Sequence, residues 1–283
     1  MPDLFKLKFN FDVSTFRLLG RELITDRITA LFELVKNCYD ANSNYVTLVF
    51  NNVSCVKSDS YICLEDDGLG MSLYDIRYKW MVVGTNSKRK ESVSPSPYNR
   101  KVVGEKGVGR FAVEKLGSRV VIETTQRGTT RKIRLELDWN KYESLSSDQI
   151  RKNNRNTTFF TEVENNCWID ICDREEHGTK IKIFLNQVEQ LWSENDIQRA
   201  CSELSKLVSP LYKPSYPFVI WIKSNEYVQF ANKEVVNKFS VDTTHHYILD
   251  SINVDGEQLQ QFLFFDEKKG ELIVKADKRI FGP

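Results

Sequence analysis

Residues 33–41 read Glu-Leu-Val-Lys-Asn-Cys-Tyr-Asp-Ala and end the clearest helical pattern of the chain. Across residues 21–39, apolar side chains recur at three- and four-residue intervals, which predicts an amphipathic helix with one buried face. At about 100° per residue, Glu33, Asn37 and Asp40 share a stripe opposite that face. A carboxylate and an amide oxygen one turn apart suit a hard cation and a water, although any solvated helix face also shows a polar stripe.

A second stretch, rich in aspartate and glycine, follows a predicted strand. Residues 65–71 read Glu-Asp-Asp-Gly-Leu-Gly-Met directly after the apolar run 61–64. Aspartate and glycine are common in turns that end strands. The functional interpretation is that a buried Asp66 accepts a hydrogen bond from a ligand's amino group. Gly68 and Gly70 would then let the backbone approach the ligand's ring.

A third stretch opens a predicted helix that ends at Leu116. Residues 104–110 read Gly-Glu-Lys-Gly-Val-Gly-Arg, so glycine backbone N–H groups and Lys106 could hold an anion at the helix N-terminus. The order of residues matches neither the phosphate loop with its terminal Gly-Lys-Ser/Thr nor the dinucleotide fingerprint. The preceding loop contains prolines, serines and basic residues, and its length is typical of a functional lid or of disorder.

The fourth stretch, His177-Gly-Thr-Lys180, precedes the apolar run 181–185. Taken alone, it predicts only a turn that enters a strand.

Together these four stretches resemble, in their order and spacing, the ATP-binding motifs of the GHKL superfamily, which includes gyrase-type topoisomerases, the large heat-shock ATPase chaperones, histidine kinases and MutL. The resemblance covers about the first two hundred residues, and residues 80–88 look most like the MutL and MORC-like branch. It implies an α+β fold of the Bergerat type, a two-layer α/β sandwich with a mixed, mostly antiparallel sheet and helices on one face. It also implies the domains: an ATP-binding domain at 1–212 with a lid at about 84–109, then the incomplete start of a smaller, transducer-like α/β domain at 213–283.

The resemblance also assigns roles to the polar residues. Glu33 matches the general base that activates water, Asn37 the Mg²⁺ ligand, and Asp40 a supporting carboxylate. Asp66 matches the reader of the adenine amino group, and Thr179 the threonine that joins this hydrogen-bond network. The remaining expected nucleotide contacts are base-wall residues and phosphate-binding residues: Gly68, Gly70, Met71, Lys88, Lys106, Gly107, Val108 and Gly109. Branches of the family complete the site with a transducer lysine, for which the chain offers Lys268, Lys269, Lys275 and Lys278.

The composition agrees with such a site. The chain has 283 residues, with 40 Lys+Arg against 39 Asp+Glu, which excludes a uniformly basic nucleic-acid binder and an acidic disordered chain. Only three histidines are present, and this phosphoryl-transfer site needs none. No apolar run approaches the roughly 20 residues of a membrane helix. The start lacks the pattern of a secretory signal, so we expect a cytoplasmic protein without membrane contact.

The function expected from the resemblance is Mg²⁺-dependent ATP binding and slow hydrolysis. ATP would close the lid and promote a homodimer, as the motor of a larger MutL/MORC-like protein that acts on DNA or on a DNA-bound complex. The basic residues of the lid, namely Lys88, Arg89, Lys90, Arg100 and Lys101, form the local patch that such a partner would contact. The alternative is a nucleotide-gated interaction module with negligible turnover. A histidine kinase is disfavoured because no histidine precedes His177.

Overall fold

The computed structural model describes most of the chain. The described residues are 11–15, 26–82, 93–95, 98, 100, 112–152, 159–208, 217–236, 247–254, 257–266 and 271–277. The chain divides into two compact units, the first formed by Met1–Leu207 with Tyr216–Val235 and the second by Val208–Ser215 with Val236–Pro283.

The first unit contains alternating helices and strands. In chain order they are α1 (Arg27–Asp40), β1 (Tyr45–Asn51), β2 (Tyr61–Asp66), α2 (Leu73–Asp75, continued by a π-helix at Ile76–Trp80), α3 (Ala112–Leu116), β3 (Arg119–Thr125), β4 (Arg131–Asp138), α4 (Trp139–Lys152), β5 (Asn166–Ile171), β6 (Gly178–Phe184), α5 (Glu194–Leu204), β7 (Val219–Ser224) and β8 (Lys233–Glu234).

These strands form one eight-stranded sheet in the order β5-β4-β3-β6-β2-β1-β7-β8. The pair β1–β7 is parallel, and all the other neighbours in this sheet are antiparallel. The mixed, mostly antiparallel sheet and the helices confirm the predicted α+β fold. The sheet order also brings the ends of β2, β3 and β6 side by side, which places three distant parts of the sequence at one site.

Helix α1 lies against the core because its apolar stripe is continuous. Asp26 caps its N-terminus by accepting hydrogen bonds from the backbone N–H groups of Ile28 and Thr29. Its buried residues are Ile28, Ala30, Leu31, Leu34, Val35 and Cys38, and the helix packs against α3 and α5. The predicted start at residue 21 lies outside the described residues, and the described helix begins at Arg27.

The strand β7 differs from the sequence-based domain assignment. Sequence analysis placed residues 218–222 in the second domain, whereas Val219–Ser224 pairs with β1 in the large sheet. Alternate side chains of β7, including the fully buried Ile220 and Ile222, extend the sheet's apolar layer. The assignment of ATP-binding and transducer roles to the parts of the chain stays a prediction.

The described residues of the second unit form a three-stranded antiparallel sheet. Its strands are β9 (Tyr247–Val254), β10 (Glu257–Asp266) and β11 (Glu271–Asp277), with β10 in the centre. Across the described part of both units, no helix is long and apolar enough to cross a membrane.

Candidate functional site

Asp66 is the last residue of β2 and is buried, with 7% of its surface exposed. Its Oδ1 accepts hydrogen bonds from the Ser43 hydroxyl (3.1 Å) and from the backbone N–H of Gly68 (2.8 Å). Burial raises the pKa of Asp66 to about 6, although these bonds and one with the Cys38 thiol oppose the increase. A buried carboxylate held in one orientation is therefore available to recognise a donor.

The loop after Asp66 is bound to the end of α1. The backbone N–H of Leu69 donates to the carbonyl oxygen of Ala41 (2.8 Å). A Cβ at Gly68 would lie 2.7 Å from that same oxygen and 2.8 Å from Asp66 Oδ1. Only glycine therefore lets the chain pass this closely beneath the helix end while its N–H contacts the carboxylate.

The loop then contacts the end of β3. Gly70 has φ +64°, and a Cβ there would lie 1.9 Å from the carbonyl oxygen of Thr125. One residue later, the backbone N–H of Met71 donates to Thr124 Oγ1 (2.9 Å). Gly70 thus satisfies two demands, a left-handed backbone and close contact with a neighbouring strand, and Met71 is held beside the same strand.

Thr179, on β6, lies between the two strands that carry the other contacts. The register pairs it with Asp66 on one side and with Thr124 on the other. The hydroxyl of Thr124 is 2.9 Å from that of Thr179 and donates to the carbonyl oxygen of Gly178 (3.0 Å). Asp66, Met71 and Thr179, which the sequence analysis placed around one ligand ring, are therefore neighbours, and Thr124 connects them.

His177 anchors the loop from the other side. Its Nδ1 is 3.0 Å from the carbonyl oxygen of Gly68, and because that oxygen can only accept, the imidazole is the donor. Gly178 follows with φ +108°, where a Cβ would lie 2.1 Å from the carbonyl oxygen of Asp66. The turn before β6 thus fixes the loop that carries the carboxylate.

The polar face of α1 is more open. Glu33, Asn37 and Asp40 are each partly exposed, and Glu33 Oε1 forms an ion pair with Lys36 Nζ at 2.5 Å. Cys38, which follows Asn37 on α1, is buried and contacts Asp66, so α1 touches the pocket directly. Burial raises the pKa of the Cys38 thiol well above its usual value, which keeps the thiol protonated.

The donors on α1 fit a magnesium ion that is shared with a nucleotide. In the described part of the chain, no cluster of three or more His, Cys, Asp or Glu side chains could hold a metal alone. Mg²⁺ commonly keeps several waters and is bound by one or two protein oxygens together with substrate phosphates. The amide oxygen of Asn37, one turn from Glu33 and near Asp40, matches that requirement.

Several predicted contacts lie outside the described residues. These are Lys88, Lys106, Gly107, Val108 and Gly109, together with Lys268, Lys269 and Lys278.

The placement of Arg100 in an exposed basic patch is wrong. Its guanidinium is buried, donates to the carbonyl oxygens of Ser43 (2.5 Å) and Pro217 (3.2 Å), and lies over the ring of Tyr39. Arg100 therefore joins the end of α1 to the segment that enters β7, and its guanidinium donates hydrogen bonds to backbone carbonyl oxygens.

Sequence reasoning missed four contributors: Cys38, Ser43, Thr124 and His177. A cysteine or serine beside a polar motif carries no distinctive signal. Thr124 lies in a strand whose β-branched composition already explained it. His177 was noted in the sequence as part of a turn, but only the fold shows that its side chain contacts a loop more than one hundred residues earlier.

Two comparisons with known proteins found matches to this chain. The chain is 28% identical over 106 residues to "Putative type II restriction enzyme HgiDII" of Herpetosiphon aurantiacus, and this match covers 38% of the chain and 16% of that protein. The chain thus spans well under a fifth of that relative. The sequence model of the family described as "Histidine kinase-, DNA gyrase B-, and HSP90-like ATPase" matches residues 25–179, which include the pocket around Asp66 and the polar face of α1. Because this match covers more than half of the chain, the chain belongs to the family of histidine kinase-, DNA gyrase B- and HSP90-like ATPases.

Proposed function

We propose that the chain binds ATP with its adenine against Asp66 and hydrolyses it slowly. The observation that carries the proposal is the buried carboxylate of Asp66, held by Ser43 and Gly68 beside Thr179. A buried acceptor is stabilised by the amino N–H of adenine, whereas guanine would present a carbonyl oxygen to it. The carboxylate of Asp66 and the carbonyl oxygen of guanine, both acceptors, would then lie together without a donor, which would lower the affinity for guanine nucleotides.

Glu33 is the proposed general base on the open side of the site. Its carboxylate would orient a water and take its proton as the terminal phosphate is transferred, with Asp40 holding that water in place. Asn37 would hold the metal together with the phosphates. Bound Mg²⁺ supplies neutralisation of the phosphate charge. Slow turnover fits a site with one base and one protein ligand for the metal.

The phosphates are proposed to contact the glycine-rich stretch. Gly107, Val108 and Gly109 would present backbone N–H groups, with Lys106 and Lys88 as cationic contacts. Ordering of the lid at about 84–109 around these phosphates would then report the nucleotide state to the rest of the chain.

ATP-dependent homodimerisation and action on DNA or a DNA-bound complex extend this proposal. The likeness of residues 80–88 to the MutL/MORC-like branch supports both, and the partial likeness to a protein named as a restriction enzyme supports the DNA connection. In this proposal, the part of residues 213–283 that lies outside the large sheet begins a transducer that transmits the closure of the lid.

One observation favours a nucleotide-gated module with negligible turnover. Lys36 Nζ lies 2.5 Å from Glu33 Oε1, so the ammonium competes with a water for that oxygen. In this second function, ATP would act only as a ligand that shifts the population of a closed state.

The test uses the full chain with Glu33→Ala and Asp66→Asn. We expect Glu33→Ala to reduce hydrolysis at least about a hundredfold while ATP still binds, and Asp66→Asn to abolish selective binding of ATP over GTP. Hydrolysis by Glu33→Ala at the wild-type rate would refute the role of the base. Unchanged ATP affinity in Asp66→Asn would refute the adenine site. A single-turnover assay separates the two functions, since appreciable ADP formation without a partner excludes the gated module.

A further inference from the structure

A groove of about 490 Å³ lies beside the proposed nucleotide site but is lined by other residues. Its walls come from the start of α2, the β3–β4 turn, β4, β5 and the segment after β5. The apolar part includes Leu73, Tyr74, Ile133 and Ile169. The volume lies within the range of pockets that hold small organic ligands.

The floor of the groove is an uncovered part of the sheet. Ile133 on β4 is buried and is paired in register with Ile169 on β5, so their side chains share one face. Ile169 is nevertheless 48% exposed, and Ile171, on the same face of β5, is 94% exposed. The apolar face of the sheet therefore continues beyond the core without cover from the described residues.

The charged side chains that line the groove are all positive. Arg131 and Arg174 line it, both are exposed, and the lining contains neither aspartate nor glutamate. Within the described residues, neither guanidinium has a carboxylate within salt-bridge distance, whereas the exposed Arg119 and Arg134 both pair with Glu136. Thr129 and Thr130 add hydroxyl groups to the wall. These groups would attract an anion.

Two exposed aromatic rings, those of Tyr74 in the groove lining and of Tyr78 beside it, extend the apolar surface of the groove. Tyr74 is 64% exposed and Tyr78 is 52% exposed, with ring centroids 4.8 Å apart. Arg77 lies between them in sequence, is exposed, and has no carboxylate partner within the described part of the chain. Exposed rings alternating with guanidinium groups are typical of surfaces on which bases stack while phosphates are neutralised.

We propose that this groove and the Tyr74–Tyr78 pair bind single-stranded nucleic acid. One base inserts against Tyr74 and Ile169, and its flanking phosphates contact Arg131 and Arg174. The next nucleotide reaches Tyr78. The groove selects single strands because a duplex stacks its bases internally and presents no free base face to Tyr74. This site is separate from the pocket around Asp66 and does not depend on ATP.

Fluorescence anisotropy tests the proposal with the full chain and a labelled dodecathymidylate in EDTA. Thymine lacks the amino group that the Asp66 pocket would read, so this probe reports the groove. We expect Tyr74→Ala to weaken binding about tenfold. Arg131→Ala combined with Arg174→Ala should weaken it further and reduce the slope of log affinity against log salt by roughly 1.4, since each single-strand phosphate contact contributes about 0.7.

The controls separate this site from others. Arg134→Ala removes an exposed arginine from the opposite face of β4, and it should leave binding unchanged. Asp66→Asn should also leave it unchanged, so failure of the proposed ATP site would not affect this result. The double replacement of Arg131 and Arg174 by lysine should preserve most of the salt slope.

Four results would overturn the proposal. They are no binding at low salt, equal binding of a duplex, equal loss in the Arg134→Ala control, and competition by thymidine monophosphate at the same concentration as the oligonucleotide. The last would show a site for free nucleotides.

Discussion

The pocket around Asp66 and the polar face of α1 are built in opposite ways, although Cys38 and Ala41 join them. In the pocket, Asp66 is buried and the loop after it is held by bonds to three other elements. On α1, Glu33 and Asn37 are partly exposed, and Glu33 pairs with a lysine one turn away. The hydrogen bonds that orient Asp66 are therefore formed without a ligand. On the helix face, metal binding would also require the phosphates of a nucleotide.

This difference separates recognition from turnover. Substitutions in the pocket should change stability and affinity together, because the same bonds hold the fold and the carboxylate. Substitutions on the α1 face should change the rate of hydrolysis with little effect on folding. Four experiments test this division.

Gly70→Ala should have the largest effect, a loss of about 4 kcal/mol in the free energy of unfolding. The new Cβ would combine a left-handed backbone with an overlap against the Thr125 carbonyl oxygen, 1.9 Å away. Gly128→Ala is the matched control, since Gly128 also has a positive φ, +80°, but nothing lies within 4 Å of its Cβ position. It should cost about 1 kcal/mol. Urea unfolding measures both, and equal losses would show that the close contact is not a constraint.

The pH dependence of Asp66 should be next in size. Its pKa is raised to about 6 from 3.8 by burial, so the folded state favours the protonated carboxyl. The resulting stability is fully present below the unfolded pKa and is lost as the pH rises through about 6. The total is about 3 kcal/mol.

Asp66→Asn provides the reference for this measurement because its side chain does not titrate. The unfolding free energy of the wild type minus that of Asp66→Asn should fall as the pH rises from about 4 to above 6. A difference that stays constant over this range would mean that Asp66 is not desolvated as its burial indicates.

The fold was largely predictable because its strands are continuous apolar runs between turns. The two apolar runs identified from the sequence, 61–64 and 181–185, overlap β2 and β6. In contrast, no strand was predicted at β5, where Cys167, Ile169 and Ile171 alternate with other residues but all six positions are exposed, so the alternation does not mark a buried face. The parallel pairing of β7 with β1 was also missed, since no local pattern specifies which strand a distant segment will join.

The site was predictable where a local motif carries it. The Asp-Gly pattern singled out Asp66, Gly68 and Gly70, the family resemblance gave them a role, and the structure shows close contacts at both glycines. Their part in nucleotide binding stays a prediction. Thr124 and His177 were not found, because each acts through hydrogen bonds to residues that are distant in sequence. Such bonds follow from register, and register is not visible in any one segment.

His177 should have an intermediate effect that separates a bond from simple packing. Removing the donor to the Gly68 carbonyl oxygen in His177→Ala should weaken ATP binding about fivefold. His177→Asn should retain most of the affinity, because its Nδ2 lies as many bonds from the backbone as Nδ1 of histidine, whereas His177→Gln should not. Calorimetric titration with ATP measures this order, and turnover at saturating ATP should change little. Equal losses in the asparagine and glutamine variants would indicate that the ring contributes by packing.

Lys36→Met should have the smallest effect and is the sharpest test of the α1 face. In the ion pair, the ammonium competes with a water for Glu33 Oε1 at 2.5 Å, and a helical pair of this kind contributes about 0.5 kcal/mol. Removing the ammonium while keeping the aliphatic stem should therefore raise turnover about twofold at unchanged ATP affinity. Lys206→Met is the control, because Lys206, in the 3-10 turn that follows α5, pairs with Glu203 at the same spacing (2.6 Å). A fall in turnover would show instead that Lys36 helps to neutralise the phosphates, and the α1 face would then be preorganised like the pocket.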